Sequence, residues 1–286
     1  MGGVGNIITD STFINNTALN GGGIGWFGAN GTLTGSNFTG NTAATGGGAG
    51  VSWGGANGSL KGCTFTNNIN TAYQGGGLSW FGDNGKVSDS IFINNTSYIS
   101  GGGIFWWGKN GALTGCTFIR NIGNSSGGGV TWAGPNGTLT GSIFTNNAVT
   151  GIGGGGDGGA TFWSAANGTL TGCTFTNNTA VQNGGGVRWF GANGNLKESS
   201  FTGNTAYTGG AVNFYGINGT IFNCNFINSK WSKSNGIYAT RNLTITGGKG
   251  IVDILSNNNV VLLGISVMVL NNETYYYPPN SNINFK

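Results

Sequence analysis

The dipeptide Asn-Gly recurs at Asn30, Asn57, Asn84, Asn110, Asn136, Asn167, Asn193 and Asn218, at steps of 27, 27, 26, 26, 31, 26 and 25 residues. A period of this length constrains the fold more than any local propensity, because each unit must bury its apolar face against copies of itself. Four residues before each Asn stands an aromatic: Trp26, Trp53, Trp80, Trp106, Trp132, Trp163, Trp189 and Phe214. Eight residues after it stands Phe, from Phe38, Phe65 and Phe92 through Phe118, Phe144, Phe175 and Phe201 to Phe226, with Phe13 closing a partial first unit. Three residues beyond each Phe comes a second Asn, from Asn16 and Asn41 to Asn204, broken only by Ser229.

Within a unit lie three short alternating segments separated by turn residues, and none has the length or 3.6-residue period of a helix. The first reads apolar-x-Trp, as in Ile24-Gly25-Trp26; the second centres on an aliphatic such as Leu33; the third reads small-x-Phe, as in Ser36-Asn37-Phe38. Side chains alternate across a strand, so residues 24, 26, 33, 36 and 38 point inward together. The pattern predicts an all-β fold, a three-faced right-handed parallel β-helix of about eight full coils of roughly 26 residues, the hand following the general rule for parallel crossovers. The helix is expected over residues 1–262, with 263–286 a cap or the start of a following domain.

Cysteine placement follows from the same register. Cys63, Cys116, Cys173 and Cys224 all lie two residues before a wall Phe and alternate with Ser36, Ser90, Ser142 and Ser199. Like positions two coils apart are about 9.6 Å from one another, beyond the roughly 7 Å limit for a disulfide, so four buried free thiols are expected.

Composition excludes several functions. The 61 glycines would suggest disorder, but 12% aromatic residues and 9 Trp require a packed structure. With 11 Lys and Arg scattered along the chain and a net charge of +4, nucleic acid is not an expected partner. The longest nearly apolar stretch, Val260 to Leu270, is too short to span a membrane. Met1-Gly2-Gly3-Val4 carries no signal segment and leads straight into the repeat, so the sequence reads as a fragment of a longer chain. The scarcity of charge, with Asn, Thr and Ser as the polar residues, suits an extracellular setting.

No catalytic, cofactor or metal site is expected. The acidic residues Asp10, Asp83, Asp89, Asp157, Glu198, Asp253 and Glu273 provide no matched pair on adjacent coils, as a glycosidase requires, and no acidic calcium cluster. Thr32-Leu-Thr34, Thr138-Leu-Thr140 and Thr169-Leu-Thr171 raise ice binding as a minor alternative, but Lys61, Lys86 and Lys197 interrupt the array. The candidate ligand-binding residues are aromatics flanking the Trp row: Phe81, Phe105, Trp107, Phe162, Phe190 and Tyr215, with Phe27 in the same pattern. The five extra residues of the 31-residue unit fall in 150–157, a predicted bulge. Thirteen Asn fit the N-x-Ser/Thr pattern of glycosylation acceptors, though turn chemistry explains most of them.

Gly-Gly-(Gly/Ala)-aliphatic at Gly21 to Ile24, Gly101 to Ile104 and Gly209 to Val212, together with Phe-x-x-Asn at Phe13, Phe38, Phe65, Phe92, Phe118, Phe144, Phe175 and Phe201, resembles the paired repeat of polymorphic outer-membrane proteins and archaeal adhesin-like proteins. The likeness covers nearly residues 1 to 229. It implies a surface-exposed passenger or stalk engaged in adhesion, with a carbohydrate or a cell-surface protein as ligand. A polysaccharide-binding or polysaccharide-cleaving β-helix is the alternative expectation.

Overall fold

The computed structural model describes residues 1–151, 155–229, 236–239 and 243–247, and beyond these the backbone of 249–250, 252–256, 260–263, 267–270, 273–276 and 282–285. The chain is a β-solenoid of about nine turns of ~26 residues. One coil runs Ile24–Trp26, Thr32–Thr34, Asn37–Thr39 and Thr42–Ala43, and Val51–Trp53 then begins the next. Each strand pairs in parallel with its counterparts above and below, like on like: Trp26 with Trp53, Leu33 with Leu60, Phe38 with Phe65. The Trp wall and the aliphatic wall are 12-stranded and the Phe wall is 10-stranded among the described residues. A fourth, 7-stranded wall of two-residue strands joins the three expected ones, formed by the residues that follow the Asn corner.

Alternation places Trp26 to Trp189, Leu33 to Ile221 and Phe38 to Phe226 inside. The Trp rings stack with centroids 4.4 to 5.2 Å apart and the Phe rings at 4.7 to 5.1 Å, spacings that the backbone ladder imposes. Each such ring, burying roughly 150–250 Å² at about 25 cal/mol per Å², contributes on the order of 4–6 kcal/mol gross.

The buried Asn corner is a continuous amide ladder. Asn68 donates its backbone N–H and its Nδ2 to Asn95 Oδ1 at 3.0 and 2.9 Å, and its Nδ2 also donates to the Phe38 carbonyl at 2.9 Å. A second, exposed ladder joins the Asn-Gly turns, with Asn57 Nδ2 donating to Asn30 Oδ1 at 3.2 Å and so on to Asn218. Here Asn, not Gly, takes the left-handed conformation, as at Asn84 with φ 56. The glycine is needed for space: a Cβ on Gly85 would lie 2.1 Å from Trp80 Nε1.

All four cysteines are buried and free, as the register predicts. Cys63, Cys116 and Cys173 donate their backbone N–H to Ser90, Ser142 and Ser199 Oγ at 3.1 Å, so thiol and hydroxyl alternate up the Phe wall.

Towards the C-terminus the walls continue through Leu243–Thr246, Val252–Ser256 and Val260–Leu263. Two pairings then change direction: Asn282–Phe285 joins Val260–Leu263 antiparallel, and Glu273–Tyr276 joins Val267–Leu270 antiparallel. No helix among the described residues is long and apolar enough to cross a membrane.

Candidate functional site on the outer face of the Trp wall

In each Trp-wall strand the middle residue points away from the core because its two neighbours point in. That row runs Gly25, Ser52, Ser79, Phe105, Thr131, Phe162, Arg188, Asn213. Immediately after each Trp, and after Phe214 in the same wall, comes a second outward row, including Phe27, Phe81, Trp107, Ala133, Ser164, Phe190 and Tyr215. Backbone bonds hold this second row in register, with Trp107, Ala133, Ser164, Phe190 and Tyr215 each donating N–H to the carbonyl of the Trp one coil before.

The connector between the narrow wall and the Trp wall folds back over part of this face. A Cβ on Gly47 would lie 2.9 Å from the Phe81 ring and from Ser79 Cβ, and Ser52, Ser79 and Thr131 are buried although they point outward. The predicted aromatics consequently separate. Phe27, Trp107 and Phe190 are 64%, 59% and 48% exposed, whereas Phe81, Phe162 and Tyr215 are half-buried. Phe105 is a correction: it points outward as expected, yet it is only 3% exposed, because the Phe81 and Trp107 rings flank it with centroids 6.2 Å away on either side. Phe190 and Tyr215 stack at 4.9 Å and 5°, away from the Phe81–Phe105–Trp107 group.

Beside the second aromatic group lies a polar network that periodicity alone did not reveal. Ser100, Ser126, Asp157, Asn183 and Thr208 form a bridge ladder of their own. Asn183 Nδ2 donates to Asp157 Oδ1 at 2.7 Å, Thr208 Oγ1 donates to Asn183 Oδ1, and Asn213 Nδ2 donates to Asn183 Oδ1 at 3.0 Å. Arg188 donates Nη1 to Asn213 Oδ1, lies with its Nε 3.8 Å from Asp157 Oδ2, and sets its guanidinium 5.8 Å from the Phe190 centroid and 5.1 Å from that of Tyr215. Burial lowers the Arg188 pKa, and the Asp157 carboxylate opposes the shift. Asp157, expected at the edge of the 150–157 bulge, belongs to the column itself, while residues 152–154 lie outside the described residues. The missed signal was a row: Ser100, Ser126, Asp157, Asn183 and Thr208 each precede the left-handed first glycine of their run.

The carboxylates near the site are already engaged. The Asp157 carboxylate is occupied by Asn183 and Arg188. Asp89 stands on an exposed corner 3.7 Å from Lys61 Nζ, and Asp83 Oδ1 accepts the Lys109 N–H at 2.9 Å. Among the described residues no group of three or more His, Cys, Asp or Glu gathers as metal ligands would.

Residues 172–188 match the family model of the Chlamydia polymorphic membrane protein repeat. The matched stretch holds one Phe-wall strand, the Asn178 corner, a narrow-wall strand and the glycine run leading to Val187. The match and the solenoid fit a polymorphic outer-membrane protein-like β-helix repeat family, a family associated with the outer membrane or cell surface. No curated protein matches the sequence.

Proposed function

We propose that this chain is a non-enzymatic, adhesin-like scaffold displayed outside the cell, whose β-helix stalk presents the outer face of the Trp wall to a glycan or a partner protein. The observation that carries this reading is the exposure of Phe27, Trp107 and Phe190 on a column whose core is complete without them. Trp107 and Phe190 each pack one side on a neighbouring ring, yet about half of each stays in water, where it supplies contact area to a partner at low conformational cost. The surface-associated repeat supports the same reading.

The test is adhesion of the purified chain to cells together with a glycan array. Retention by either, weakened in Trp107→Ala, is the expected result. Wild-type binding to neither would overturn the proposal, as would release of reducing ends or unsaturated sugars from a polysaccharide, which marks an enzyme.

A further inference from the structure

Packing alone does not call for indole at seven successive core positions. The Phe wall fills its side of the same column with benzyl rings, and in the Trp wall itself Phe214 takes the eighth place, stacked 5.5 Å and 4° from Trp189. What indole has and a benzyl ring lacks is a readily removed electron. From Trp26 to Trp189 the rings are fully buried and stacked face to face at every step, 4.4 to 5.2 Å and 1° to 12° apart. The row is thus an unbroken π-stack of about 29 Å along the column. One further indole meets water: Trp107, 59% exposed, follows Trp106 in the chain and stands outside the wall, one peptide unit from the middle of the row.

We infer that the Trp wall is a redox relay, in which an electron taken from Trp107 by a one-electron oxidant is replaced from the buried row through Trp106. The oxidant gains one electron and Trp107 becomes a radical cation; Trp106 then passes an electron to Trp107, and a stacked neighbour passes one to Trp106. No covalent bond forms or breaks. A one-electron reductant that meets Trp107, such as an enediolate, returns the electron and is itself left a radical. The exposed ring is thereby neutral again before water or oxygen adds to it, the fate of an isolated oxidised indole. This activity stands apart from the adhesin reading and needs no bound ligand.

Two features keep the vacancy mobile within the row. An oxidised indole is trapped when its N–H proton leaves, and the row holds no base to take it. Trp53, Trp80 and Trp106 donate Nε1–H to backbone carbonyls, which are poor proton acceptors, and the N–H groups of Trp26, Trp132, Trp163 and Trp189 are buried without an acceptor. Burial penalises any charge. Against that, parallel neutral rings turn negative faces towards one another, whereas a ring that has lost an electron lies between two such faces and is attracted to both. The charge is also shared among several rings, so no single one bears it whole.

Pulse radiolysis of the whole chain with azide radical, a one-electron oxidant, tests the relay through the near-infrared charge-resonance band that a vacancy shared by stacked indoles produces. The wild-type chain should develop this band. Trp107→Phe should slow its appearance tenfold or more. Trp106→Phe, which repeats the side chain found at Phe214, should weaken the band tenfold or more and leave the visible absorption of an isolated indole radical at Trp107. No near-infrared band in the wild type would overturn the inference, as would a band equally fast in Trp107→Phe or equally strong in a folded Trp106→Phe. Trp107→Phe leaves the core untouched, so its outcome decides the matter even where Trp106→Phe does not fold.

Discussion

Asn121 accepts two protons from Asn95, one from the backbone and one from the side chain, each at 3.0 Å, and donates its own Nδ2 to Asn147 Oδ1 and to the Phe92 carbonyl. Truncation to Ala would orphan donors and acceptors on two neighbouring coils inside the core, where each unmade bond costs about 1–3 kcal/mol. Asn121→Ala is expected to lower stability by about 3 kcal/mol or more, measured by denaturant titration. Asn136→Gly, in the exposed ladder and at φ 59, should cost less than about 1 kcal/mol, because water replaces the lost partner and glycine accepts the conformation. Both Asn rows are equally plain in the sequence. The sequence shows each row as a column of like residues, but not which of them is a core ladder and which a turn. What separates the two is burial, which comes from the narrow wall closing over one of them.

At the scale of the wall, periodicity is a contact list, because strands one coil apart stack in register. That is why the Trp, aliphatic and Phe walls and the alternating Cys and Ser are legible in the sequence. Burial pushes the thiols of Cys116, Cys173 and Cys224 from 9.0 up to about 12 and raises that of Cys63. The folded chain therefore holds these protons where an unfolded one releases them, so stability should fall as pH rises from about 9 towards 12. Replacing all four by Ser should remove that part of the alkaline loss. A thiol reagent at pH 8 should label no cysteine in the native chain and four after denaturation. The outward rows were less legible, as Phe105 shows. Their exposure depends on connectors of unequal length folding back over the wall, and those connectors do not share the repeat's regularity. The Arg188–Asp157 pair was hidden for the same reason, since the extra residues of the 31-residue coil obscure the alignment of Asp157 with Asn183.

Across the whole molecule, a long-period repeat leaves little choice of architecture, and the antiparallel pairings near the C-terminus are the main change of rule. Backbone hydrogen bonds between parallel strands run along the column, so a load applied at its two ends falls on every coil boundary in series. A coil that gives way releases about 26 residues of chain, roughly 85 Å of extension once its own height is subtracted, while its neighbours stay wound. Single-molecule pulling should show a train of such steps and one longer step, about 100 Å, from the 31-residue coil; a single cooperative rupture would contradict this. The same ladders that make the column stiff in compression make it yield in instalments under tension, so that a tethered body is braked repeatedly rather than let go at once.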